Sequence, residues 1–577
     1  MRHRTLKLGL AAATVVAAVL PLALVVPSAY ADYAPNKGDV VGVGSDTIQY
    51  GIDFLADGNA YGDTGYNQLG NKYKVVDIDA TADANARLAY GVDGGQTGQS
   101  SCTPGTGSGS GTGNQTSPNS GAPCVLNPTV VLRAGLQPVL RPNGSGAGFN
   151  ALVQDVTAGH NSASSEVINF ARSSSSETGS NPSSSIPTID QLQIATDTLP
   201  MITSGVSTNA VPLTALQLNY IYTAPASGCI TWNDPEITGV YLEGASLTAS
   251  SKAVTFPSSD PQQPTSANDG WAVEVNGAVV DGENGSPETV SSAGTGTITL
   301  SDALPSSFST STSDNVGLVN PSASGDKIIP LIPQVGSGTR KYFLQQIGLS
   351  SNTSYVPACA LVSEENDPTA IFDVAGTPAD AIEPMSQGRL DLYRGVSNTG
   401  ASGGLPSGGY FLDPSCAYLV GSAACETSGS ANGGLGTPKA VSPNVVTITA
   451  STGTSVTGTT GPVGLGVYSA SGYTSGLFDP TRPLFLLFRN SDIASTTAWQ
   501  PGTTENWLNT LFYDPCPAGA NNCITVGSGA NAATYGPDGA PYIDSAEGQT
   551  LLEDAGITPT IPEICTELTG TDTAGSC

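Results

Sequence analysis

The chain has 577 residues, 12% of them charged, and its formal net charge at pH 7 is −29. An acidic surface repels nucleic acid and anionic membranes, so partners that bind through long-range attraction to negative polymers are excluded. The 70 glycines and 41 prolines are typical of strands joined by long loops and exclude a helical bundle. A chain of this length can form two or more domains, each with its own core.

Residues 1–31 have the pattern of a secretory signal peptide. Basic residues precede an apolar stretch at 8–26, and the small residues at 29–31 suit a cleavage site. An uncleaved membrane anchor is the alternative. Cleavage near Ala31 changes the net charge from −29 to −32, because the segment holds three basic residues and no acidic one. We expect a secreted or periplasmic mature chain with no membrane anchor, and no lipid anchor because no cysteine lies near the cleavage site.

All ten cysteines lie after this segment, and an even number in an oxidising compartment predicts disulfides. Three pairs are close in sequence, and the pairing of the other four is a hypothesis. The predicted disulfides are Cys102–Cys124, Cys229–Cys359, Cys416–Cys425, Cys516–Cys523 and Cys565–Cys577. A metal site is the alternative for clustered cysteines. Without Cys-x-x-Cys, and with one histidine in the mature chain, we expect no metal and no cofactor.

Apolar strands alternate with helices along the chain, which predicts an α/β fold. Residues 39–57, DVVGVGSDTIQYGIDFLAD, indicate a short strand, a Gly-Ser turn and a helix. The same pattern recurs in TVVLRAGLQPVLRPNGSGAGFNALVQDV at 129–156 and in IIPLIPQVGSGTRKYF at 328–343. A strand at 168–176, INFARSSSS, runs into four serines, and RPLFLLFRN at 482–490 is a buried type of strand.

Residues 237–325 differ from the rest of the chain. Apolar and polar residues alternate in GWAVEVNGAVVDGENG and GTGTITLSDAL, with Asn-Gly and Gly-Thr turns between them. This pattern predicts an inserted all-β module. Residues 92–128 and 396–463 are rich in Gly, Ser and Thr and predict long loops.

The three strand–turn–helix units end in similar turns of small and hydroxyl-bearing residues. The turns are Gly44-Ser45-Asp46-Thr47, Asn143-Gly144-Ser145-Gly146 and Gly336-Ser337-Gly338-Thr339. If they converge, hydroxyls and free N–H groups from separate helix starts would surround a small tetrahedral anion. Each turn taken alone could be a plain helix cap.

The order of these motifs resembles that of the phosphate-binding subunits of ABC transporters, which are two-lobed periplasmic binding proteins of type II. The matching motifs are GVGSDTIQ, RPNGSGAGFNAL, INFARSSSS, LNYIYTAPASGCITWNDPEI, KIIPLIPQVGSGTRKYF and SAEGQTLLEDAGITP. The resemblance implies an α/β fold of two lobes, the first formed by residues 32–204 together with residues 476–577. The second lobe, 205–475, would contain the module at 237–325. It also implies a monomeric binding protein, not an enzyme, that captures phosphate or a related oxyanion for an ABC transporter permease.

Carried over by position, the resemblance assigns the anion contacts. They are Asp46, Thr47, Ser145, Gly146, Ser174, Ser337, Gly338 and Thr339. The family usually has an aspartate, which accepts the proton of hydrogen phosphate, where this chain has Ser174, and an arginine where it has Pro333. Arg141, Arg172 and Arg340 flank the motifs and are candidates to restore positive charge. Their alternative role is in ion pairs of an acidic protein.

Ser174 carries no charge to repel an unprotonated anion, so we expect sulfate to compete with phosphate. A second hypothesis keeps the fold but makes the protein a secreted interaction or scavenging module whose β insertion binds a polymer or partner. A hydrolase would need His160, which no G-x-S-x-G motif accompanies. Asp77 and Asp79 lack the spacing of a calcium loop, and we expect a solvated strand end there.

Overall fold

A computed structural model describes residues 35–58, 63–80, 115–116, 123–124, 129–130, 132–134, 136, 139–160, 165–177, 189–203, 209–260, 262–349, 357–366, 370–373, 378–394, 444–446, 448–449, 481–493, 506–514, 516, 523–526, 533–536 and 539–565. The predicted signal peptide lies outside these ranges. So does at least one cysteine of the predicted pairs Cys102–Cys124, Cys416–Cys425 and Cys565–Cys577. No helix within the ranges above is long and apolar enough to cross a membrane.

Strands and helices alternate through these ranges. The strands are β1 (Val40–Gly44), β2 (Val75–Asp77), β3 (Gln115–Thr116), β4 (Pro123–Cys124), β5 (Thr129–Val130), β6 (Val139–Leu140), β7 (Phe170–Ser173), β8 (Ile189–Thr198), β9 (Met201–Thr203), β10 (Leu213–Thr214), β11 (Val240–Leu247), β12 (Ala253–Thr255), β13 (Ala272–Val275), β14 (Ala278–Val279), β15 (Val290–Gly294), β16 (Thr297–Leu300), β17 (Ser311–Val319), β18 (Ile329–Pro333), β19 (Leu361–Ser363), β20 (Ala381–Pro384), β21 (Asn444–Val446), β22 (Ile448–Thr449), β23 (Thr481–Arg489), β24 (Ile524–Val526), β25 (Ala533–Tyr535) and β26 (Thr558–Cys565). The helices are α1 (Asp46–Asp57), α2 (Ser145–Thr157), α3 (Ala215–Thr223), α4 (Gly338–Gln346), α5 (Ala370–Asp373), α6 (Gln387–Arg394), α7 (Asn490–Ile493), α8 (Trp507–Leu511) and α9 (Ala546–Asp554). Single 3-10 turns cover Tyr66–Gln68, Ser266–Asn268, Pro378–Asp380 and Tyr542–Asp544.

The chain forms two mixed sheets, and, apart from the strand in fourth place, the five strands of the second follow the same relative order as the first five strands of the first sheet. The first runs β2-β1-β7-β23-β8-β26 and the second β19-β18-β20-β9-β21. In the first, β23 lies antiparallel between β7 and β8, and in the second β9 lies antiparallel between β20 and β21. The chain crosses from the first sheet to the second between β8 and β9 and returns between β21 and β23. This confirms the predicted two-lobed α/β fold of the periplasmic-binding-protein type.

The crossing lies slightly earlier than the predicted lobe boundary at residue 205, because β9 already pairs within the second sheet. Strand β1, VVGVG, is buried throughout, as expected for a parallel strand covered on both faces. A buried apolar cluster combines Phe170 and Leu486 of the first sheet with Ile202 and Leu331 of the second. Apolar packing of this kind restricts the separation of two lobes.

The region from 240 to 319 forms a seven-stranded antiparallel sheet of order β14-β13-β17-β11-β12-β16-β15. It has its own apolar core, which includes Leu242, Ile298 and Val316. Its ends lie side by side, because Val240 pairs with Leu318. The flanking segments are joined as well, since Trp232 N donates to Asp326 O at 3.0 Å. The predicted all-β insertion is therefore present and begins and ends at adjacent points of the second lobe.

Removal of the module should leave the two-sheet core folded. We expect that replacing 238–325 with a short Gly/Ser linker gives a soluble protein with one cooperative unfolding transition, within about 1–2 kcal/mol of the intact protein. Thermal and urea unfolding followed by circular dichroism checks this. A control deletion of 238–275 alone should be insoluble, because it strips β17 of both partner strands. Insolubility of the full deletion at every linker length would show that the module belongs to the core.

Two of the predicted disulfides have both cysteines within the described ranges, and the structure joins both pairs. Cys229 and Cys359, separated by 130 residues, have their Cα atoms 5.6 Å apart. Cys516 and Cys523, separated by 7 residues, have the same Cα separation. The first bond connects the segment ahead of the β module to the segment ahead of β19. It therefore closes a long loop, the kind that gains most from cross-linking in the chain-entropy description.

Candidate functional site

The three predicted turns come together at the starts of α1, α2 and α4. Ser45 caps α1 and accepts from Thr47 N at 3.2 Å, and Ser337 caps α4 and accepts from Arg340 N at 3.1 Å. The Ser145 hydroxyl at the start of α2 lies 3.3 Å from that of Ser174. Three positive helix ends therefore face one small volume, which favours a negative charge there.

Side-chain hydroxyls line this volume, which we call the hydroxyl cradle. Its members are Ser45, Thr47, Ser145, Ser174 and Thr339. Ser45 Oγ donates to Ser174 Oγ at 3.1 Å, and the hydroxyls of Thr47 and Thr339 lie 3.2 Å apart. All five side chains are buried. The cradle thus joins residues from both lobes.

The close approach of the helix starts depends on Gly338. A Cβ at this position would lie 2.3 Å from Ser145 Oγ and 2.4 Å from Ser174 Oγ. The two turns are also bonded directly, since Gly146 N donates to Gly336 O at 3.1 Å. Gly146 and Gly338 therefore shape the cradle through their backbones.

A carboxylate of the chain itself lies inside the cradle. Glu365 Oε1 accepts from Thr339 Oγ1 at 2.7 Å, from Thr339 N at 3.2 Å, from Thr47 Oγ1 at 3.2 Å and from Ser174 Oγ at 3.4 Å. The Glu365 side chain is fully buried. Sequence reasoning missed this residue. The available signal was that β18 and β19 could be adjacent parallel strands, whose carboxyl ends would bring Glu365 beside the turn at Ser337.

Arg482 supplies positive charge that sequence reasoning also missed. This buried residue of β23 donates from Nη2 to Asp197 Oδ2 at 2.7 Å and from Nη1 to Thr339 Oγ1 at 2.7 Å. Its Nη2 also donates to Thr47 Oγ1 at 3.4 Å. Because these bonds use oxygen lone pairs of both threonines, the threonine hydrogens remain available to point at Glu365.

The three arginines expected to supply that charge bind elsewhere. Arg172 forms a buried ion pair with Asp77 and donates to Ser45 O at 3.0 Å. Arg141 Nη1 donates to Asp79 O at 2.9 Å. Arg340 Nη1 donates to Pro333 O at 2.9 Å, and burial lowers its pKa to about 10. Each holds main-chain carbonyls near the turns, and Arg482 contacts the hydroxyls instead.

Asp46 and Asp77 also differ from expectation. Asp46 is a predicted anion contact, and its carboxylate accepts from Arg389 Nη2 at 3.2 Å in a buried ion pair. Asp77 was expected at a solvated strand end, and that expectation is wrong. It is buried opposite Gly42, where a Cβ would lie 2.7 Å from Asp77 Oδ1, and it forms an ion pair with Arg172.

No protein-family model matches the sequence, and none of the curated proteins matches it. The chain is similar to a solved structure from Clostridium perfringens described as a phosphate ABC transporter substrate-binding protein with bound phosphate. The identity is 11% and the TM-score 0.32, over 90% of this chain and 99% of that one. An ABC-type phosphate transport receptor from Vibrio cholerae has 13% identity and a TM-score of 0.29, over 79% of this chain and 88% of its own. PstS from Borrelia burgdorferi has 11% identity and a TM-score of 0.28, over 90% of this chain and 98% of its own. With TM-scores this low, the proposals below rest on the residues of this chain.

Proposed function

We propose that this protein is an exported solute-binding protein that captures phosphate or a related tetrahedral oxyanion between its two lobes and delivers it to an ABC-type permease. The observation that supports the proposal is the coordination of Glu365 Oε1. One anionic oxygen accepts hydrogen bonds from donors on three separate elements of the two lobes. Donors arranged in this way around one oxygen suit the oxygens of an external anion equally well.

The chemistry of the cradle fits binding and not catalysis. Hydroxyls and backbone N–H groups can hold an oxyanion without reacting with it. The predicted nucleophilic alternative needs His160, whose Nδ1 lies 2.5 Å from Asp155 Oδ1 at the carboxyl end of α2, the opposite end from Ser145. The hydroxyl and N–H donors of the cradle can bind an anion even in an acidic protein. They act at short range, where the helix dipoles offset the negative field of the whole chain.

Titration calorimetry of the mature protein, residues 32–577, with phosphate and then with sulfate tests the proposal. We expect phosphate to bind and sulfate to compete within about tenfold. Ser337→Asp should keep the α4 cap, because aspartate is a good capping residue, and should weaken both anions by at least about tenfold through charge repulsion.

Ser545→Asp is the matched control, because Ser545 caps α9 and accepts from Gly548 N at 3.0 Å away from the cradle. It should leave both affinities unchanged. Binding of neither anion to the folded protein would reject the oxyanion function.

A further inference from the structure

Glu365 occupies the place that an external oxyanion would need. Its Oε1 takes the hydroxyl of Thr47, the hydroxyl of Ser174 and both donors of Thr339. An external anion would require the same donors, because they are the groups that the helix starts present to the cradle. Two anionic oxygens cannot share them without a large repulsion in a buried site.

The charges around the cradle lead to the same conclusion. Asp46 is paired with Arg389 and Asp197 with Arg482, and both pairs are buried. Glu365 forms no ion pair among the described residues, and its Oε2 is buried without a hydrogen-bond partner there. Among the described residues, its charge is therefore stabilised by helix ends and hydroxyls and by no ion pair of its own. A dianion added beside it would leave the cluster strongly negative.

The turn that carries Glu365 is fixed next to the cradle. Asn366 has a positive φ of 59°, a conformation that asparagine adopts more readily than most residues. Its Nδ2 donates to Thr47 Oγ1 at 2.9 Å, and its Oδ1 accepts from Ser386 N at 2.9 Å. These contacts direct the preceding side chain into the hydroxyl cradle.

We propose that Glu365 is the resident ligand of the hydroxyl cradle and that an external oxyanion binds by displacing it. This rests on the proposed oxyanion function and adds a regulation to it. Glu365 and the external oxyanion compete for the same donors. The apparent affinity for the oxyanion is therefore lowered according to the fraction of molecules in which Glu365 holds these donors. A carboxylate that leaves on binding also cannot select for a protonated ligand, so sulfate and phosphate should compete on similar terms.

Two variants of Glu365 test the proposal. Glu365→Ala empties the cradle, and Glu365→Gln keeps the shape without the charge. In calorimetry both should bind phosphate about 10- to 100-fold more tightly than the natural protein. Acetate or phosphate should raise the melting temperature of Glu365→Ala more than that of the natural protein, because either anion replaces the missing carboxylate.

Glu364→Gln is the matched control. Glu364 is also buried, and it accepts from Asn143 Nδ2 at 3.2 Å and from Gln334 Nε2 at 3.3 Å, outside the donor set of Glu365. Its phosphate affinity should equal that of the natural protein.

The outcomes separate the two proposals. Phosphate binding that is unchanged or weaker in both folded Glu365 variants overturns displacement and leaves the oxyanion function intact. Tight phosphate binding that resists a large sulfate excess does the same, because it would mean that Glu365 stays and accepts a ligand proton. Failure of phosphate and sulfate to bind the natural folded protein rejects the oxyanion function itself.

Discussion

Arg482→Met is expected to lower the free energy of unfolding by about 3–5 kcal/mol, because it leaves the buried Asp197 carboxylate without its cation. Among the described residues, Asp197 Oδ1 would retain one long hydrogen bond, from Gly388 N at 3.4 Å. The variant should also bind phosphate about 10- to 100-fold more weakly, because the threonine hydroxyls that Arg482 orients are free to turn away. Urea unfolding and calorimetry measure the two effects.

Two controls separate charge from orientation in this experiment. Asp197→Asn combined with Arg482→Met should recover much of the stability, because no unpaired charge remains, but it should not recover the affinity. Arg489→Met lies at the opposite end of β23 and removes the cation that bonds Asp155 Oδ2 at 2.6 Å. It should destabilise the protein and leave the affinity of the folded form unchanged. Equal loss of affinity in Arg489→Met would show that Arg482 acts through general stability.

The sequence motifs predict the fold and the hydroxyl-bearing turns of the cradle. Each strand–turn–helix unit is encoded in one continuous stretch, at 39–57, 129–156 and 328–343. The turns at Ser45, Ser145 and Ser337 could therefore be found, and their convergence expected from the order of motifs. Sequence reasoning also placed the β module, because alternating apolar residues broken by Asn-Gly turns specify hairpins with their own core.

The charged residues that contact the cradle, Glu365 and Arg482, could not be found in this way. Glu365 lies 191 residues from Ser174 and Arg482 lies 285 residues from Asp197, so their contacts depend on which strands become neighbours. Their local sequences indicate an ordinary strand end for LVSEEN and a buried strand for TRPLFLLFR. Arg172 illustrates the converse error. It flanks a motif serine, but its side chain pairs with Asp77 in the interior.

In the proposed function, an acidic protein holds an anion in the hydroxyl cradle. The positive charge does not come from a basic surface. It comes from three helix starts, from hydroxyls with defined hydrogen directions and from arginines already balanced by Asp46 and Asp197. Such a site depends on distance more than on net charge, because helix-end fields and hydrogen bonds weaken within a few ångströms. Geometry at the contact between α2 and α4 should therefore control affinity.

Gly338→Ala tests this dependence on distance. The new Cβ would lie within 2.4 Å of both Ser145 Oγ and Ser174 Oγ and 3.1 Å from the backbone carbon of Ser174. Either the two hydroxyls must rotate out of the cradle or the start of α4 must move away from the first lobe. Overpacking of this kind costs about 1–3 kcal/mol. If the overpacking destabilises the conformation that binds the anion, the affinity for phosphate drops by about 10- to 100-fold.

Gly146→Ala is the matched control for Gly338→Ala. Its Cβ would meet Gly336 O at 3.6 Å, an ordinary contact, and alanine is at least as good as glycine within a helix. Its stability and phosphate affinity should match those of the natural protein within about 1 kcal/mol. Both variants are measured by urea unfolding and calorimetry. Each adds one methyl group to a cradle turn, so a loss of affinity in Gly338→Ala alone is attributed to the distance between the starts of α2 and α4. If Gly338→Ala bound phosphate as tightly as Gly146→Ala, the close approach of the two helix starts would not be what forms the site.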